Sequence, residues 1–215
     1  MRVMGLTGTI GAGKSTVMGW LRELGAWTVD ADALVHHLYE SDASLQEQLR
    51  ARFGPEVVAG GRVDRPALGK IVFADSRDRT ALADLEAIVH PAVHRLEDEA
   101  IAAAGAAGAL ACVVEAIRLV ESGTSSRCDE LWIVTTAEAV QLLRLAARGL
   151  VEAEARRRLA AQGTVASWTA AFQSESSRLG HPRPVIVLDN SGDEAQGRAQ
   201  VERLWHGLTS APTGV

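Results

Sequence analysis

The chain has 215 residues, 47% of them hydrophobic, enough to bury one α/β core with insertions. Its net charge of −5 gives no general electrostatic pull toward nucleic acid or an anionic membrane. The two cysteines, Cys112 and Cys128, lack metal-ligand spacing, and Cys112 lies in an apolar run as a packed thiol does, which fits a reducing compartment. No secretory signal pattern opens the chain, and its longest nearly apolar stretch, Ile101 to Val114, is too short to span a bilayer. A soluble, cytoplasmic protein is expected, with no nucleic-acid or membrane partner, as a monomer or small homo-oligomer.

The first expected element is a short apolar strand, Arg2 to Leu6. It runs into GTIGAGKS, Gly8 to Ser15, and then into a helix whose apolar positions Val17, Leu21 and Leu24 share one face before Gly25 ends it. The motif is G-x-x-x-x-G-K-S, complete and in the strand–loop–helix setting that a phosphate cradle requires. Gly8, Gly11 and Gly13, with Ala12 between the last two, permit backbone angles that place several N–H groups around one anion. The helix N-terminus at Ser15 and Thr16 adds its positive dipole end. Lys14 would reach the outer phosphates as a point charge, and the Ser15 hydroxyl would ligate Mg²⁺. A nucleoside triphosphate is the expected ligand.

Ala26 to Asp32 (AWTVDAD) reads as a second strand ending in two carboxylates, and helical runs Ala33 to Glu40 and Leu45 to Phe53 follow. Gly60-Gly61 suggests a hairpin-like connection. Pro66 suits a first helical turn, in a run that Asp75 closes. Residues 77 to 104 are strongly helical, with a kink or break expected at His90-Pro91. ALACVVEA is a third strand, Asp129 to Thr136 a fourth and PVIVLDN a fifth. Two arginine-bearing helical runs, Ala137 to Arg148 and Val151 to Gln162, come after the fourth strand, followed by an irregular stretch, Ala166 to Pro184. Glu194 to Leu208 is the closing helix, and the last seven residues are expected to fray. Short apolar strands alternating with helices imply an α/β fold: a five-stranded parallel sheet with helices on both faces. The helical block between the second and third strands far exceeds a plain crossover, and is the natural place for a second-substrate module.

Three constellations bear on the chemistry. Asp30 and Asp32 end the second strand, at the edge where open α/β sheets bind ligands. Asp32 there could accept a proton from an attacking hydroxyl and Asp30 could hold Mg²⁺ water, but either could equally cap the following helix. Gln141, Arg144 and Arg148 share one helix face, and fixed arginines stabilise charge on a transferring phosphoryl group. A helical lid carrying them would also exclude water. The plainer reading of such charge is a solvated face, and Arg156 to Arg158 fit that reading. Glu115 ends the third strand, where an acidic residue serves a metal site or simply leaves the sheet. His90 and His94 have the spacing of zinc ligands on a helix, without a third ligand and with Pro91 between them. No N-K-x-D motif supports guanine specificity; DNSG, Asp189 to Gly192, follows the last strand, far from a switch loop's place.

These residues together resemble the dephospho-coenzyme A kinase family. The resemblance runs through GLTGTIGAGKSTV, LGAWTVDADALVH, GRVDRPALGKIVFAD, LEAIVHPAV, VVEAIRLVESG, QLLRLAARGL with ARRRLAAQ, and LDNSG. It implies a P-loop kinase fold: a core of residues 1–35, 105–136 and 184–215, a helical CoA-binding domain of residues 36–104, and a lid of residues 137–183. It also implies ATP-dependent phosphorylation of the ribose 3′-hydroxyl of dephospho-CoA, giving CoA and ADP. Gly8 and Gly11 to Thr16 would then bind ATP with Mg²⁺ at Ser15, and Lys14 would also act in transfer. Asp32 would be the base, Arg144 and Arg148 the lid arginines, and Asn190 a neighbour of the adenine. Arg65, His90 and Glu115 would face the acceptor. Where the family often has D-x-P-L-L-x-E after the third strand, this chain has EAIRLVE, Glu115 to Glu121. The alternatives are a P-loop kinase for another small acceptor, such as a nucleoside monophosphate, and a non-catalytic ATP-binding regulator.

Overall fold

The computed structural model describes residues 1–74 and 80–210. In chain order, β1 (Arg2–Gly8) leads through the glycine-rich loop into α1 (Lys14–Glu23), followed by β2 (Trp27–Asp30), α2 (Ala31–Ser41) and α3 (Ala43–Phe53). The hairpin β3 (Val58–Ala59) and β4 (Arg62–Val63) precedes α4 (Arg65–Val72) and the long α5 (Thr80–Ala106). Then come β5 (Ala111–Glu115), β6 (Glu130–Thr135), α6 (Glu138–Ala147), α7 (Glu152–Ala160), α8 (Val165–Leu179), β7 (Val185–Asp189) and α9 (Glu194–Ser210).

The large sheet has the order β2-β5-β1-β6-β7, with β1 parallel to both β5 and β6 and β6 parallel to β7. A central strand is covered on both faces, so β1 is buried without interruption from Met4 to Gly8. On one face Met4, Leu6, Val113, Trp132 and Val134 form a single cluster with Val17 and Leu21 of α1 and Val201 and Trp205 of α9. On the other, Gly5 lies against Leu119 and Cys128, and Cys112, Val114, Leu131 and Ile133 are fully buried. Burial pushes the Cys112 thiol up to about 11, so it stays a protonated packing group, as its apolar setting implied. Because the strands are parallel, the loop after β1 and the ends of β5 and β6 share one sheet edge.

The chain divides into two compact units, Met1–Val29 with Ile101–Val215, and Asp30–Ala100. The second has its own core, in which Leu38, Leu45, Leu49 and Phe53 of α2 and α3 meet Leu68, Val89 and Val93. Its helices are capped from the sequence: Asp30, Asp42 and Asp64 accept the backbone N–H of Ala33, Leu45 and Ala67, at 3.0, 2.9 and 2.9 Å. Gly60 and Gly61 both have positive φ, 58° and 72°, and make the tight turn that the pair predicts. No helix among the described residues is long and apolar enough to cross a membrane.

Two expectations need correction. Of the kink or break expected at His90-Pro91, the break does not occur: α5 runs through Pro91 over 27 residues. A proline forfeits one backbone hydrogen bond, and the turns on either side of it are held by burial of Val89 and Val93. The stretch from Ala166 is not irregular either, since α8 occupies Val165–Leu179. Its start is a capping box between Thr164 and Ser167, its end a left-handed Gly180, and Trp168, Phe172 and Ser176 are its buried stripe. Those signals were in the sequence, masked by the polar composition around them. The closing Asp75, the beginning of the helical reading at 77 and the fraying of 211–215 lie outside the described residues.

Candidate active site

The loop's geometry follows from trans peptide planarity, which points each C=O opposite to the N–H of the next residue. Holding a carbonyl outward therefore aims the following N–H inward. Ala12 O accepts from Asn190 Nδ2 at 2.8 Å, Thr136 Oγ1 at 3.0 Å and Arg144 Nη1 at 3.2 Å, which directs the Gly13 N–H the other way. Ile10 O accepts from Gln141 Nε2 at 3.2 Å, which does the same for the Gly11 N–H. The N–H groups of Gly11, Gly13 and Ser15 have no acceptor among the described residues. Three donors left open at one helix N-terminus make an anion site.

Glycine is required here on two counts. Gly11 and Gly13 have φ of 79° and 97°, and Gly13 is the N-cap of α1. A Cβ on Gly13 would also collide with Asn190 Nδ2 and lie 3.3 Å from Arg144 Nη1. Lys14 folds back across the loop, its Nζ donating to Gly8 O at 3.0 Å and lying 3.7 Å from Glu115 Oε1. Both side chains are nearly buried, so Glu115 is the counter-charge that faces this lysine beneath the loop. Ser15 and Thr16 open α1 and are exposed.

The arginine face separates. Arg144 Nη2 donates to Asn190 O at 3.0 Å while Nη1 reaches Gly11 O at 3.4 Å and Ala12 O, so this guanidinium braces the back of the loop. Arg148 lies at the C-cap of α6, exposed, its backbone N–H donating to Leu145 O at 3.1 Å and its side chain without a hydrogen-bond or ion-pair partner among the described residues. Asn190 is buried against the loop through Ala12. Asp189 beside it accepts from Ser191 N at 2.9 Å and Ser191 Oγ at 2.6 Å. The Ser191 side chain and backbone donors hold its carboxyl below the usual carboxylate value. The other candidates belong to the Asp30–Ala100 unit. Asp30 takes the capping role through the Ala33 N–H, and Asp32 is exposed in the first turn of α2. Arg65 opens α4 and is exposed; the buried Tyr39 hydroxyl is pushed up by desolvation, which the Arg65 charge partly offsets. His90 stacks on His94 at 6.0 Å between ring centres.

Some residues of this neighbourhood carried no individual role in the sequence reading. Gln162 Oε1 accepts the Ile10 N–H at 2.8 Å. Thr7 Oγ1 donates to Ala116 O at 2.9 Å, and Trp168 Nε1 donates to Glu121 Oε1 at 2.9 Å, so the EAIRLVE segment is tied at both ends. Arg183 is buried, donates to Ser125 O at 3.0 Å, Cys128 O at 2.9 Å and Glu175 Oε2 at 2.8 Å, and stacks 4.1 Å from the Phe172 ring. An arginine between two prolines in a polar stretch gives no sequence signal for such burial.

A parallel sheet with a glycine loop bound from behind, a buried lysine beneath it and open amides at a helix N-terminus defines the P-loop kinase fold. The dephospho-CoA kinase family profile matches residues 2–171. Dephospho-CoA kinase of Symbiobacterium thermophilum is 42% identical over 216 residues, covering 100% of this chain and 84% of that protein. The Geobacter sulfurreducens enzyme is 37% identical over 207 residues, covering 95% of this chain and 98% of its own. Among solved structures, a Thermus thermophilus protein superposes with a TM-score of 0.72 at 33% identity, over 99% of this chain and 98% of that one. Dephospho-CoA kinase from Campylobacter jejuni, 21% identical and covering 96% of each chain, shares the fold with a TM-score of 0.64. This chain belongs to the dephospho-CoA kinase family.

Proposed function

We propose that the protein transfers the γ-phosphoryl group of ATP to the 3′-hydroxyl of dephospho-CoA, giving CoA and ADP, the last step of coenzyme A biosynthesis. Family membership supports the reaction class. The observation that carries the chemistry is the pairing of open Gly11, Gly13 and Ser15 amides with the buried Lys14, a cradle that fits a polyphosphate. Lys14 swings from Gly8 O to the outer phosphates, and Arg144 holds the loop while charge spreads over the transferring group. Asp32 takes or orients the acceptor proton, a role supported by the fact that Asp30 already supplies the helix cap. Arg65, His90 and Glu115 serve the acceptor, residues 36–104 form its binding domain, and 137–183 act as a lid with Arg148 as its outer arginine.

The Ser15 hydroxyl, exposed in the first turn of α1, fits one position in a Mg²⁺ shell. No group of three or more His, Cys, Asp or Glu side chains that could hold a metal occurs among the described residues, which suits an ion carried in by the phosphates themselves. Bound there, Mg²⁺ would neutralise charge on the phosphate oxygens. A cytoplasmic enzyme, monomeric or a small homo-oligomer, completes the reading.

The test is ADP release with Mg-ATP and dephospho-CoA, AMP or no acceptor, with the phosphate position of the product read by NMR. Release only with dephospho-CoA and a new 3′-phosphate are expected. Turnover of AMP instead would assign another acceptor, and ATP binding without turnover a regulator.

A further inference from the structure

The two ends of the α6–α7 hairpin meet on a single residue of the phosphate loop. Gln162, just past α7, takes the Ile10 N–H on its Oε1 at 2.8 Å. Gln141, in α6, donates from Nε2 to Ile10 O at 3.2 Å and to the Thr9 hydroxyl. Both backbone groups of Ile10 are thus held by side-chain amides, whereas the Gly11, Gly13 and Ser15 N–H groups are open among the described residues. The loop therefore has a tip tied to the hairpin and a floor facing an anion. A glutamine suits the tip: it satisfies a donor with a neutral oxygen and brings no negative charge beside a triphosphate.

We infer that Gln162 is a positioning residue for phosphoryl transfer, acting through the Ile10 peptide and jointly with Gln141. The inference rests on the kinase reading proposed above. Affinity for a nucleotide diphosphate comes from the floor amides and Lys14, which Gln162 does not touch. Rate depends on placing the reacting atoms within a fraction of an ångström, and a tip released from the hairpin loses that placement. Gln162 therefore acts on turnover more than on nucleotide binding.

Two measurements decide it. In ligand-free ¹⁵N-labelled wild type, amide exchange at Ile10 is slower than at Gly11 and Gly13; equal rates at the three would overturn the clasp without any assay of activity. In Gln162→Met, which keeps the length and removes the oxygen, kcat with Mg-ATP and dephospho-CoA falls roughly 10- to 100-fold, while Mg-ADP affinity and thermal midpoint hold. Gln141→Met behaves alike, and the double variant is no worse than the poorer single, because both act on one residue. A wild-type kcat in Gln162→Met, additive losses, or ADP affinity falling in step with rate would each overturn the inference. A wild type inactive on dephospho-CoA would instead sink the kinase reading, and the rate claim with it, while Ile10 exchange still judges the clasp.

Discussion

Helices α6 and α7 are consecutive, similar in length and both carry arginine, yet their charges do different work. On α6, Gln141 and Leu145 are buried and Arg144 spreads its guanidinium over Gly11 O, Ala12 O, Thr136 Oγ1 and Asn190 O. On α7, Arg156 pairs with Glu138 and Glu152, and Arg157 and Arg158 both pair with Glu154. Those α7 arginines are more than half exposed, where ion pairs are screened and contribute little. The contrast lies in what each face meets. Backbone carbonyls that turn outward so that amides turn inward need donors, and a cation is the strongest donor available. Where the face meets water, neighbouring glutamates suffice.

That contrast is most sharply broken at the loop. Lys14→Ala and Arg144→Ala should each lower turnover by up to about 10³-fold while remaining folded, Lys14 because it acts on charge in the transition state and Arg144 because it holds the loop carbonyls that aim the amides. Steady-state ADP release checks this, and wild-type turnover in either variant would refute the assignment. Next in size is stability at the other inward-facing arginine. Arg183→Met removes the charged donor from Ser125 O, which keeps the Cys128 N–H, and from Cys128 O, and should cost roughly 2–4 kcal/mol in a denaturant melt.

Smaller again is a pH effect beside the site. Ser191 donors hold the Asp189 carboxyl low, so their contribution is fully present above the ordinary Asp value of 3.8 and is lost as pH falls through the lowered value. Ser191→Ala should flatten that part of the acid limb of an unfolding-against-pH curve, and an unchanged limb would remove the effect. Last comes α7 itself. Arg156→Ala is expected to leave turnover and thermal midpoint where they are, with any small shift erased by salt. A rate loss comparable to that of Arg144→Ala would show that α7 faces substrate after all.

Much of this was legible because it is local. The P-loop needs its glycines, lysine and serine at fixed spacing, the Gly60-Gly61 turn needs two positive φ values, and the strands follow short apolar runs. The misses have a physical pattern. A break at Pro91, one of the two outcomes expected there, overrated a single backbone penalty against the packing of a whole helix. Reading the α8 stretch as irregular passed over a capping box and an aromatic stripe. Asp30 and Asp32 could not be separated locally, since both residue types and both positions suit a cap; the Ala33 N–H chose Asp30.

By itself the sequence determined the phosphate loop, the order of strands and helices, and the family, because spacing, apolar period and turn chemistry act over a few residues. Tertiary structure alone decided which side chains hold the loop. Ile10 meets Gln162 across 152 positions of sequence and Ala12 meets Asn190 across 178, and no local pattern specifies those partners. They are settled when the sheet brings the ends of β1, β6 and β7 to one edge and buried carbonyls must find donors there.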